Sequence, residues 1–139
     1  MPVDDKTRLE AGLQIRREVL GAEHVDRSLA RATDFARPMQ ELVTEYCWGA
    51  VWSRPGLDRK VRSLLNIVML TALGRRDELG VHVRGAVNNG VTVTEIQEAL
   101  LQAAVYCGVA AALDATRTAE AALAKLGVIE TRSEQPSQA

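Results

Sequence analysis

The chain has 139 residues, 47% of them hydrophobic and 25% charged, which is enough apolar material for one folded domain and too much for an intrinsically disordered chain. The 17 basic and 18 acidic residues leave a net charge of -1, with no basic patch for nucleic acid and no basic amphipathic stripe for a membrane surface. The longest apolar run, LLNIVMLTALG (64–74), contains Asn66 and is too short for a bilayer. The charged start MPVDDKTRLE lacks the apolar centre of a signal peptide, and Cys47 and Cys107 form neither a CxxC pair nor a disulfide framework. A cytoplasmic protein with reduced thiols is the expectation.

The periodicity is helical nearly throughout. DDKTRLEAGLQIRREVLG (4–21) places Leu9, Leu13, Arg16 and Leu20 at helical spacing and ends on Gly21, a C-cap residue. AEHVDRSLARA (22–32) forms a short second helix with Val25 and Leu29 on one side. Pro38 suits the first turn of a third, RPMQELVTEYCWGAVW (37–52), whose apolar side includes Leu42, Val43, Tyr46 and Cys47. WSRPG (52–56) is a loop. Asp58 then caps a helix carrying Val61, Leu64, Leu65, Val68 and Ala72 and ending at Gly74.

GRRDELGVHVRGA (74–86) forms the next helix, stopped by NNG (88–90). Thr94 with Gln97 makes one capping box for the following helix, and Thr92 with Glu95 a competing one. Ile96, Leu100 and Ala103 continue that helix to Gly108, and an alanine-rich helix closes at Gly127. The only strand-like stretch, GVTV (90–93), is too short to build a sheet. The expectation is an all-α domain of six or seven helices over residues 1–127, with a polar, flexible tail over 128–139. The amount of apolar helical surface points to a homo-oligomer.

Two readings stand for His82. It falls on a stripe with Leu79, Val83 and Ala86, and Glu78 lies one turn before it. It is either a core histidine satisfied by a carboxylate, or half of an acid/base pair in which the carboxylate orients the ring and raises its pKa. Gly85, one turn on, leaves room for a ligand to approach. Arg59 and Arg62 flank an apolar helix face, either snorkelling there or holding a carboxylate with a two-pronged grip. Trp48 and Trp52, near Glu45, share a face that suits core, oligomer interface or pocket wall. No metal template is present, so no bound metal is expected, and no dinucleotide fingerprint or P-loop appears.

The segments WGAVWSRPGLD, RSLL, ELGVH and YCGV, set in matching surroundings over roughly residues 6–126, closely resemble the gamma-carboxymuconolactone decarboxylase family of the alkylhydroperoxidase-D-like superfamily. The resemblance implies an all-α fold, a trimeric or hexameric assembly, and a cofactor-free decarboxylase of the protocatechuate branch of the beta-ketoadipate pathway. Redox members of that superfamily carry CxxCxxxH, and here Arg75, Glu78 and His82 stand at those three positions. Without thiols at those positions the disulfide cycle of the redox members cannot run. Where the family reads YCGVPAAN this chain reads YCGVAAAL, with Ala110 for proline and Leu113 for asparagine, which bears on the substrate more than on the fold.

The implied reaction sets its own demands. Electrons released with CO2 flow through the double bond of the unsaturated lactone onto its carbonyl oxygen, so the substrate is its own electron sink. The protein must supply a donor to the developing oxyanion, a grip on the acetate carboxylate that stays behind, and a proton for the alpha carbon. Under the resemblance Arg62, with Arg59 or Arg54, fits the grip. His82 held by Glu78 fits the proton or oxyanion donor, with Glu45 as a third candidate acid. Trp48 and Trp52 fit the dry wall around the leaving carboxylate.

Overall fold

The computed structural model describes residues 5–130. The first four residues, and the expected tail beyond Glu130, lie outside the described residues. Within them the chain forms α1 (Asp5–Leu20), α2 (Ala22–Ala30), α3 (Arg37–Val43), a π-helical segment (Thr44–Val51), α4 (Arg59–Leu73), α5 (Arg76–Asn88), α6 (Val93–Cys107) and α7 (Val109–Lys125), with no strand among the described residues. The fold is all-α, and GVTV supplies the turn and cap before α6. No described helix is long and apolar enough to cross a membrane. Among the described residues the helices gather into two compact units: 5–65 together with Gly85–Val91, and Asn66–Arg84 together with 92–130.

In the first unit α1 packs closely on the π-helical segment. Gly12 and Gly49 make this possible. A Cβ on Gly12 would run into the Thr44 carbonyl oxygen, and one on Gly49 into the Arg8 carbonyl oxygen. Gly21, at φ 96°, turns the chain from α1 into α2, whose Val25 is fully buried. The third helix departs from expectation. Pro38 does open it, but from Thr44 the backbone widens to i→i+5 bonding, as in Trp52 N–H to Cys47 O at 2.9 Å.

This widening changes which side chains face inward. Leu42, Tyr46 and Cys47, expected on the buried side, are exposed, while Thr44, Trp48, Gly49 and Trp52 are buried. Arg16, on the buried face of α1, is the reason for part of this. Its guanidinium donates to Thr44 Oγ1 at 3.0 Å and to Gln40 Oε1 at 2.9 Å, and Thr44 Oγ1 in turn donates to the Gln40 carbonyl at 2.7 Å. Burial of that cation calls for such partners, and the helix bends its register to provide them.

Asp58 caps α4 as expected, accepting from Val61 N–H at 2.8 Å. The buried positions of α4 are nevertheless Ser63, Ile67 and Thr71, whereas Val61, Leu65 and Ala72 are exposed and Leu64 and Val68 half-buried. The small polar residues can face inward because each has a hydrogen-bond partner there. Thr71 Oγ1 donates to the Ile67 carbonyl at 2.7 Å, and Ser63 Oγ accepts from Asn89 Nδ2 at 2.8 Å. Gly85 also differs from expectation. The room it leaves is taken by Val19 and Leu20, whose methyl carbons would both lie 3.2 Å from an added Cβ.

In the second unit α5 and α7 lie side by side. Arg76 Nε donates to Asp114 Oδ2 at 2.7 Å, and one turn later the Cβ position of Gly80 is 3.9 Å from Thr118 Cγ2. The equal sequence offset shows that the two helices run in the same direction. Thr92 and Glu95 win the capping box at the start of α6, with bonds of 3.1 and 2.9 Å. Gly108, at φ 110°, lets α7 follow α6 directly. Leu79 and Val83, Ile96, Leu100 and Ala103, and the face Ala112, Ala115, Ala119 and Leu123 of α7 are among the buried residues of this unit, with Ile67 and Thr71 of α4. Small side chains on α7 permit the close helix approach that its alanine content suggests.

Candidate active site

α5 carries Glu78 and His82 one turn apart, and α4 brings Asn66 to the ring: Asn66 Nδ2 lies 3.3 Å from His82 Nδ1. His82 is half-buried. That burial pushes the imidazole down from 6.5 to about 4, and the opposing attraction of the Glu78 carboxylate is the smaller effect. The raised pKa expected from the Glu78–His82 spacing is therefore reversed. An exposed carboxylate one turn away is screened by water, whereas loss of solvent around the ring acts on it directly.

Glu78 itself is exposed and accepts from Arg75 Nη2 at 3.1 Å. Its own backbone N–H at the start of α5 and the Arg75 guanidinium hold its carboxyl below the ordinary range. At neutral pH this part of the structure thus combines a neutral imidazole with an ionised carboxylate. Asn66 had shown itself in sequence only as the interruption of an apolar run. A polar residue inside such a run was the available signal, since a buried amide needs a partner.

The other expected site residues belong to the first unit. Trp48 and Trp52 stack with ring centroids 4.7 Å apart and planes at 27°, and at 4% and 8% exposure both are buried within the chain itself. Glu45 Oε1 faces Arg8 Nη1 at 3.5 Å in a partly buried pair. Arg59 Nη1 pairs with Glu18 Oε2 at 2.8 Å. Arg62 Nη2 donates to the carbonyl of Arg54 at 3.3 Å, which brings those two residues together through the backbone of the loop before α4. The Nε atoms of Arg62 and of Arg16 are buried without a hydrogen-bond partner. Arg54 itself is exposed.

Leu113 lines an apolar cleft of about 530 Å³ between α6 and α7, together with Leu100, Leu101, Ala104, Val109 and Thr116. The leucine thus contributes a greasy wall where an asparagine would have offered an amide. No group of three or more His, Cys, Asp or Glu side chains is placed to share a metal among the described residues. Cys47 and Cys107 are free and exposed.

Comparison with known proteins gives this arrangement its context. The model of the Carboxymuconolactone decarboxylase family matches residues 37–121. A "Nitrosuccinic acid decarboxylase npaB" from Metarhizium robertsii is 54% identical over 106 residues, covering 76% of this chain and 74% of its own. A "4-carboxymuconolactone decarboxylase" from Acinetobacter baylyi is 45% identical over 126 residues, covering 91% of this chain and 94% of its own. A third relative, a "4-carboxymuconolactone decarboxylase" from Pseudomonas putida, is 47% identical over 47 residues, or 34% of this chain and 98% of its own. With the family model spanning the π-helical segment, Asn66, Glu78 and His82, and with a relative alike over nearly the whole of both chains, the chain belongs to the carboxymuconolactone decarboxylase family.

Proposed function

We propose that this decarboxylase converts gamma-carboxymuconolactone to beta-ketoadipate enol-lactone in protocatechuate catabolism, without a cofactor. The near full-length likeness to the 4-carboxymuconolactone decarboxylase of Acinetobacter baylyi carries this reading. Loss of CO2 sends the electron pair of the breaking carbon–carbon bond through the double bond to the lactone carbonyl oxygen, and the dienolate then takes a proton from water onto its alpha carbon. His82, neutral at physiological pH, is the residue for the developing oxyanion. Glu78 is ionised there, so it serves the ring electrostatically and is not the resting acid. Arg62, with its planar guanidinium, is the residue for the grip on the remaining carboxylate. The exposed apolar side chains of α4 support a homo-oligomer, a trimer or hexamer.

A second reading is favoured by the 54% identity to the nitrosuccinic acid decarboxylase and by Leu113. Nitrosuccinate also holds its own electron sink: CO2 loss from the nitro-bearing carbon leaves a nitronate, with the charge on oxygen. Both acids retain a second carboxylate after the reaction, so both ask for an oxyanion donor and a carboxylate grip. The test is to mix purified protein with enzymatically generated gamma-carboxymuconolactone, and separately with nitrosuccinate, and follow CO2. Release from the lactone supports the first reading, release from nitrosuccinate alone replaces it with the second, and no release above background from either overturns both.

A further inference from the structure

We propose that Asn66 is a positioning residue that fixes His82 in the tautomer protonated on Nε2, so that the neutral ring is a hydrogen-bond donor to the oxyanion formed as CO2 leaves. The contact that carries this is between two nitrogens, Asn66 Nδ2 and His82 Nδ1, 3.3 Å apart. An amide nitrogen brings hydrogens and no usable lone pair, so Nδ1 must accept. A neutral imidazole has a single N–H, and once Nδ1 accepts, that proton resides on Nε2. Asn66 sits in the middle of α4, one residue before the fully buried Ile67, so its backbone is fixed beside the ring.

The consequence is chemical. A ring that keeps its proton while offering it to a negative oxygen stabilises the charge without forming an imidazolium. The opposite amide orientation would present Oδ1 to the ring, draw the proton to Nδ1, and leave Nε2 a base with nothing to give an oxyanion. A carboxylate at position 66 would impose that second state. Asn66 therefore separates an oxyanion donor from a proton acceptor built on the same histidine. What the donor meets rests on the decarboxylase reading above; the tautomer does not.

The experiment is long-range proton–nitrogen NMR of the nitrogen-15-labelled protein near neutral pH, with His82→Gln used to assign the ring of His82 against that of His24. The expected spectrum shows Nε2 protonated and Nδ1 bare, since the two kinds of nitrogen resonate far apart. In Asn66→Asp the pattern should exchange, with kcat falling ~100-fold, the range for loss of one oxyanion donor, and KM changing much less. Asn66→Leu, which removes the donor without supplying an acceptor, should lose the single fixed tautomer. A wild-type ring protonated on Nδ1 overturns the assignment whatever substrate is turned over, and so does an Asn66→Asp enzyme of undiminished kcat. The expected tautomer with no turnover of either acid overturns the substrate reading instead. The wild-type spectrum decides the matter even if a variant fails to fold.

Discussion

At the scale of the residue, His82 shows how burial and a nearby charge compete for one proton. An unfolded chain takes up that proton near 6.5, while the folded ring resists it until about 4. Between these values the unfolded state binds more protons, so the contribution to stability is complete above 6.5, declines as the pH falls, and levels off below 4. At about 1.4 kcal/mol per pH unit the loss is on the order of 3 kcal/mol. Urea unfolding of wild type and His82→Gln between about pH 7 and about pH 4.5 should show the wild type losing ~2–3 kcal/mol more than the variant. Parallel curves would show that the ring is not held neutral. The 78–82 spacing makes the pair visible in sequence, but not its balance. Which effect wins depends on how much water reaches each group, and Asn66, the neutral partner, comes from a different helix.

At the scale of the element, the close seating of α1 on the π-helical segment depends on two glycines. A methyl group on Gly12 meets backbone, the Thr44 carbonyl and the Gly49 nitrogen, and backbone cannot rotate away as a side chain can. Gly12→Ala should therefore destabilise the protein by about 2–3 kcal/mol or prevent folding, despite the better helix propensity of alanine. Gly80, inside α5 with only Thr118 Cγ2 at 3.9 Å, is the contrasting case, and Gly80→Ala should raise stability by ~0.5–1 kcal/mol. Thermal unfolding of the two variants should move Tm in opposite directions; a harmless Gly12→Ala would show that the helices stand further apart. The caps of these elements were legible because they are local chemistry: Asp58, the rival boxes at Thr92 and Thr94, and the glycine stops were all named by their residue types. The widened register at Thr44 was not legible. It answers to Arg16, a cation buried 28 residues earlier in the chain, and a 3.6-residue repeat read along 37–52 cannot include it.

At the scale of the whole molecule, an all-α fold was legible because apolar positions recur at helical spacing along nearly all of the chain. Which of those stripes faces a core was not. On α4 the apolar residues Val61, Leu65, Met69 and Leu73 recur every four positions, yet they are 38%, 46%, 51% and 72% exposed, while Ser63, Ile67 and Thr71 are buried. Periodicity records that a face is covered, not by what, and a face covered by a second copy of the chain reads the same as one covered by its own helices. Exposed leucine and methionine in a row would leave a monomer prone to association. The expected outcome is that wild-type protein sediments as a closed assembly of three or six chains. Leu65→Glu and Leu73→Glu, which place a charge where desolvation would be required, should shift it towards the monomer while far-ultraviolet circular dichroism remains helical. Neither position contributes a fully buried side chain within its own subunit, so loss of assembly should not bring loss of the fold. A wild-type monomer in sedimentation, or an assembly indifferent to both charges, would mean that this face of α4 is covered by something other than another copy of the chain.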